Sequence, residues 1–152
     1  MACIRPAREQ DLDRLVGLLR LLFAIEEDFG IDAAKQRRGL ALLLGDERAC
    51  VLVAEQDGEI VGMCTGQLVI STAEGGPSVL VEDVVTTPDQ RAKGIGRSLM
   101  EALTAWAKSC GATRMQLLAD KNNPPALAFY DRIGWGTTAM ICLRRHIKPD
   151  NP

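Results

Sequence analysis

Between residues 84 and 100 the chain reads Val-Val-Thr-Thr-Pro-Asp-Gln-Arg-Ala-Lys-Gly-Ile-Gly-Arg-Ser-Leu-Met, a strand-like run that passes through a basic, glycine-bearing loop into an amphipathic segment. A helix starting there presents unpaired backbone N–H groups and a partial positive charge, and Gly94 and Gly96 let an anion come close to the main chain. Arg91, Lys93 and Arg97 add cationic side chains, so the chemistry indicated is phosphate or pyrophosphate binding. A tight turn and close helix packing account for the same glycines equally well. Two other phosphate motifs do not fit: GxxxxGK[ST] is absent, and Gly94-Ile-Gly-Arg-Ser-Leu lacks the third glycine of GxGxxG.

Carboxylates and one phenol supply the remaining chemistry. Glu82 and Asp83 precede the Val84-Val85-Thr86 run, and strand alternation points them to opposite faces, so one of the two reaches a cleft on either side. Pairing with a lysine or arginine elsewhere in the sheet is their other role. Glu26-Glu27-Asp28 closes the first helical pattern; such a run favours a cationic ligand, though solvated helix ends carry similar residues. Tyr130 is the only tyrosine, a phenol of typical pKa about 10 that serves either as a proton donor or as a packing residue. The five cysteines are widely spaced without a CxxC pair, and His146 is the single histidine, so neither a disulfide framework nor a zinc site fits and no metal is expected. Cys110 and Cys142 read as small core residues, and His146, inside Arg144-Arg-His-Ile-Lys, as an exposed one.

The elements that must hold these residues follow from periodicity. After an extended start at Ala2 to Arg5, Leu12, Leu15, Val16, Leu19, Leu22 and Phe23 predict a helix that runs until Gly30, and Asp32 caps a second helix that stops at Gly45. Ala49 to Glu55 and Glu59 to Ile70 read as strands joined by Asp57-Gly58, a tight hairpin signal. A third strand, Val79 to Thr86, leads through the basic loop to a helix from Gly94 to Ser109. A strand from Arg114 to Ala119, a helix from Pro124 to Ile133 and a terminal strand from Thr137 to Arg144 complete one α/β unit with a βαβ element in its second half.

Composition narrows the function classes. With 152 residues the chain suits one domain spanning 1–152, and 47% hydrophobic and 25% charged residues are ordinary globular values. No stretch approaches the roughly 18 uninterrupted apolar residues that cross a bilayer, and the start of the chain lacks an apolar signal region, which points to a cytoplasmic chain without a membrane partner. Eighteen Lys+Arg against twenty Asp+Glu give a net charge of −2, and only Phe129, Tyr130 and Trp135 cluster among the aromatics; nucleic acid is not an expected ligand.

Two segments in register resemble one family. Arg91-Ala-Lys-Gly-Ile-Gly is similar to the (Gln/Arg)-x-x-Gly-x-(Gly/Ala) loop of GNAT superfamily N-acetyltransferases, and Asn123-Pro-Pro-Ala-Leu-Ala-Phe-Tyr-Asp-Arg-Ile-Gly-Trp is similar to their Asn-x-x-Ala-x-x-x-Tyr-x-x-x-Gly-aromatic segment. The resemblance covers nearly the whole chain. It implies a single-domain GNAT fold, a mixed, mostly antiparallel sheet flanked by helices, and acetyl-CoA as cosubstrate. It implies that Val84, Val85 and Thr86 meet the acetyl and pantetheine groups through their backbones, that the amides of Ala92, Lys93, Gly94, Ile95, Gly96 and Arg97 cradle the pyrophosphate beside Arg91, and that Asn123 and Ala126 border the pantetheine arm. Ala92 stands where glycine is frequent in that loop. Tyr130 takes the thiolate-protonating position, Glu82 or Asp83 the place of a base or water-positioner, and Glu26 and Glu27, with Asp83, border the acceptor. Acyl transfer from a thioester then needs a proton taken from the ammonium, a donor for the carbonyl oxygen and a proton for the thiolate, by direct attack without an acyl-enzyme. A small-molecule amine is the acceptor that this implies. A peptide acceptor and a non-catalytic CoA-binding module are the alternatives, and the residues leave open whether two copies pair as a homodimer.

Overall fold

Leu12, Leu15, Leu18, Leu19 and Leu22 recur three or four positions apart and form the buried stripe of helix α1 (Leu12–Ile25). The computed structural model describes residues 1–26 and 30–150; Glu27 and Asp28 lie outside the described residues. The helix ends five residues before its expected stop at Gly30. Asp32 caps α2 (Ala33–Leu44), its carboxylate accepting the Lys35 N–H at 3.1 Å. Strand β1 (Cys3–Pro6) precedes these helices, and β2 (Ala49–Gln56), β3 (Glu59–Ser71) and β4 (Gly76–Thr86) follow them. Asp57 and Gly58 both adopt positive φ, 52° and 78°, the backbone whose twist matches a two-residue hairpin, and so they join β2 to β3. Helix α3 (Ile95–Ser109), β5 (Met115–Leu117) and α4 (Pro124–Arg132) complete the order.

The five strands form one sheet in the order β1-β2-β3-β4-β5, antiparallel except for the β4–β5 pair, which is parallel. Both faces are covered. Val51, Val53, Ile60, Met63 and Val85 pack beneath the leucines of α1 and Leu40 of α2, while Leu52, Ala54, Cys64, Val79 and Val81 pack beneath Ile95, Leu99 and Leu103 of α3. Burial on both sides is why β2 and β3 read as continuous apolar runs instead of alternating ones. No described helix is long and apolar enough to cross a membrane.

Helix α3 sits close on β3 because Gly66 has no side chain: a Cβ there meets Leu103 Cδ1 at 2.9 Å and Val79 Cγ1 at 3.0 Å. Gly66→Ala is therefore expected to lower stability by about 1–3 kcal/mol through overpacking, read from the urea midpoint. A loss below about 0.5 kcal/mol contradicts the packing described.

The expected terminal strand from Thr137 to Arg144 does not form. Residues 136–150 are exposed and outside any strand, with Met140, Ile141 and Leu143 more than four-fifths accessible. The apolar run from Ala139 to Leu143 supplies strand propensity, but a strand also needs a partner edge, and β5 pairs over three residues with β4 alone. Local bonding bends the segment instead: the Met140 N–H donates to Thr138 Oγ1 at 3.1 Å. Cys142 is consequently exposed, not a core residue; Cys110 is partly buried and His146 exposed.

Candidate active site

On β4, Glu82 lies opposite Thr65 and Val85 opposite Met63, so Asp83 and Val84 together face Cys64 of β3. Two residues against one make a β-bulge, and Asp83 takes its left-handed position at φ 53°. Aspartate tolerates that region better than most non-glycine residues. The bulge resets the strand's alternation: Val79 and Val81 pack with α3, as does Val84, whereas Val85 packs with α1. Simple alternation thus fails for the Glu82-Asp83 pair, leaving Glu82 exposed and Asp83 partly buried. Burial pushes the Asp83 carboxyl up to about 6; the Glu82 charge, and more weakly that of Glu26, adds to the rise, while the Thr65 hydroxyl opposes it. At neutral pH the group is mostly ionised and poised to take a proton.

Beyond Val81 the strands β4 and β5 part, since their pairing covers only Val79–Val81 against Met115–Leu117. The β4 edge from Asp83 to Thr86 therefore faces an opening in place of a strand. Ala92 and Gly94, at φ 60° and 82°, turn the following loop into α3. The N–H groups of Ile95, Gly96 and Arg97 have no acceptor inside the helix; the Ser98 N–H makes the first such bond, to the Gly94 carbonyl at 3.0 Å. Arg91, Ala92, Lys93 and Arg97 are exposed around those amides, and Arg97 Nε contacts Glu101 at 3.1 Å along the helix surface. The two glycines have different roles. Gly94 supplies the left-handed turn, with nothing within 4 Å of the place a Cβ would take, whereas a Cβ on Gly96 meets Phe129 Cζ at 3.1 Å, so Gly96 admits α4.

Helix α4 brings the phenol. Asn123 caps it, with Oδ1 accepting the Ala126 N–H at 3.4 Å, and Pro124 suits the first turn, where a missing N–H costs nothing. The Tyr130 ring lies between those of Phe129 and Trp135, at centroid distances of 5.1 and 6.0 Å. Burial pushes its hydroxyl up to about 12, with Glu26 and Cys64 adding to the rise, so it stays protonated at neutral pH. Glu26, partly buried just beyond α1, bears electrostatically on both Tyr130 and Asp83. Glu26, Asp83, Tyr130 and the parted strands thus converge. Glu82 stays exposed beside them, and Glu27 lies outside the described residues. Sequence reasoning missed Thr65 and Cys64, which pack against the bulge; the one available signal was a polar threonine inside a buried strand, a group that needs a partner.

Parted parallel strands, a helix N-terminus with unpaired amides and a sheet covered on both faces are the frame of the N-acetyltransferase class. The chain belongs to the acetyltransferase (GNAT) family, whose model matches residues 15–135. It is 32% identical over 90 residues to the streptothricin acetyltransferase of Streptomyces lavendulae, covering 59% of this chain and 45% of that protein. Among solved structures, a transcriptional regulator from Bacillus halodurans C-125 superposes with a TM-score of 0.84 at 27% identity, covering 97% of this chain and 100% of that one. An aminoglycoside acetyltransferase, meta-AAC0020, from an uncultured soil metagenomic sample, in complex with trehalose, superposes with a TM-score of 0.79 at 25% identity, covering 97% of both chains. The matches span 28% to 62% of the length of the curated relatives.

Proposed function

We propose that this chain transfers the acetyl group of acetyl-CoA to a primary amine of a small cationic molecule, by direct attack of the amine on the thioester. The observation that carries this reading is the juxtaposition at one end of β4 of an unpartnered strand edge, free helix amides and the partly buried Asp83. The residues suit the cosubstrate. The amides of Ile95, Gly96 and Arg97, with Arg91 and Lys93 nearby, match a pyrophosphate in charge and donor number, and the β4 edge at Val84, Val85 and Thr86 offers main-chain groups to an extended amide-bearing arm. Asn123 and Ala126 stand at the start of α4, although the bond between them already engages the Asn123 carbonyl and the Ala126 N–H. Acetyl-CoA supplies an activated acyl group; the protein supplies position and protons.

Of the two candidate carboxylates, the geometry favours Asp83 as the proton acceptor. It is withdrawn from solvent on a fixed bulge, whereas Glu82 is exposed and contributes negative charge. Tyr130, neutral and without a hydrogen-bond partner for its hydroxyl among the described residues, donates a proton to the departing thiolate. Glu26, Glu82 and Asp83 together favour an acceptor with a second positive charge, and the substrates named for the aminoglycoside and streptothricin relatives support a small-molecule acceptor. Thiol release from acetyl-CoA, measured across polyamines, aminoglycosides, amino sugars, amino acids and peptides, tests this reading. Turnover is expected with polycationic small amines; turnover only with neutral, anionic or peptide acceptors overturns it.

Tyr130→Phe keeps the ring's packing and removes the hydroxyl. It is expected to lower kcat about 10²-fold with little change in acetyl-CoA affinity, and a near-normal kcat with chemistry rate-limiting contradicts the donor role.

A further inference from the structure

Thr65 is fully buried on β3, and its hydroxyl oxygen lies 3.1 Å from the Glu82 carbonyl oxygen and 3.3 Å from Asp83 Oδ2. A threonine hydroxyl carries one proton. Facing an ionised carboxylate and a carbonyl, it can donate to only one of them, and the charged acceptor wins because charge-assisted hydrogen bonds are the stronger kind. Once Asp83 carries a proton the charge assistance is lost, and the threonine hydrogen turns to the Glu82 carbonyl, so Thr65 favours the ionised carboxylate over the neutral one. The β-bulge creates this arrangement, since it places the Asp83 side chain and the Glu82 carbonyl on the same hydroxyl.

We infer that Thr65 is the positioning residue of the proton acceptor: its hydroxyl holds Asp83 Oδ2 while the carboxylate is ionised and swings to the Glu82 carbonyl when Asp83 takes the proton of the substrate ammonium. The inference rests on the reading of Asp83 as that acceptor. In the step itself the ammonium N–H bond breaks, an O–H bond forms at Oδ2, and the electron pair stays on nitrogen for attack. Thr65 gains and loses no proton; it only rotates. Among the described residues, the other titratable groups around the site are Glu82 on the same strand and Glu26 beyond α1, both of which add negative charge, with Cys64 on β3 and Tyr130 on α4, which burial keeps neutral.

Thr65→Val preserves shape while deleting the hydroxyl, and Thr65→Ser restores it. Two readouts apply: the Asp83 titration followed by carbon NMR of labelled aspartate carboxyls, and the acid limb of the kcat/KM profile. In Thr65→Val the ionised carboxylate loses its donor, so both midpoints are expected to move upward by about one pH unit, with Thr65→Ser returning them. Thr65→Ala replaces valine if the valine protein does not fold. An unmoved Asp83 titration in a folded variant lacking the hydroxyl overturns the inference. Full activity in Asp83→Asn overturns the reading of Asp83 as acceptor, and the NMR titration still reports the Thr65 contact independently.

Discussion

Asp83→Asn is expected to lower kcat/KM about 10³-fold at pH 7 and, at the same pH, to raise stability by about 2 kcal/mol. The activity loss follows from removing the proposed proton acceptor while keeping side-chain size, and asparagine tolerates the left-handed φ of 53° as readily as aspartate does. The stability gain has a definite pH sign. A carboxyl that titrates at about 6 when folded and at its ordinary 3.8 when unfolded binds its proton more tightly in the native state. Stability therefore falls as pH rises from about 4 to about 6, and the deficit persists above. Asparagine carries no such deficit, so the variant should melt about 5 °C above the natural protein at pH 7 and together with it below pH 4. Equal melting temperatures at pH 7, or unimpaired turnover, contradict the role given to the bulge.

Gly94→Val is expected to weaken acetyl-CoA binding by about 10³-fold. A β-branched residue at φ 82° is strained whatever space surrounds it, and the strain is relieved only if the loop shifts away from the α3 amides. Losing two charge-assisted hydrogen bonds accounts for an effect of that size. Thermal stabilisation by saturating CoA is the measure, worth about 2.7 kcal/mol at a hundredfold excess over Kd in the natural protein and expected to vanish in the variant. Gly96→Ala separates the two glycine roles. Its Cβ presses on Phe129, so it should lower the stability of the unliganded protein more than it lowers CoA affinity.

What could be read from the sequence was whatever depends on local chemistry. Asp57-Gly58 announced its turn, Asp32 its helix, and Gly94 the start of α3, because turns and caps are decided by a few neighbouring residues. The bulge was hidden. Nothing in Leu-Val-Glu-Asp-Val-Val indicates that Asp83 will be doubled with Val84 against Cys64; that outcome depends on how β3 and β4 meet across the sheet. Thr65 was hidden for the same reason, since its partners are 17 and 18 positions away. The tail failed in the opposite direction: its apolar run from Ala139 to Leu143 promised a strand that no neighbouring edge completes. The separate purposes of Gly94 and Gly96 also needed the packed helices, because spacing alone cannot tell a turn from a close approach.

A single-turnover reaction with acetyl-CoA carrying deuterium in its acetyl group tests the central claim most directly. Protein in excess is mixed with labelled cosubstrate and a polycationic amine, and intact masses of protein and acceptor are read over time. Direct transfer at the Asp83 and Tyr130 site predicts label on the amine nitrogen at every time point and none on the protein. Label that passes first through a cysteine, or an acceptor that stays unlabelled across the whole amine panel, contradicts the account.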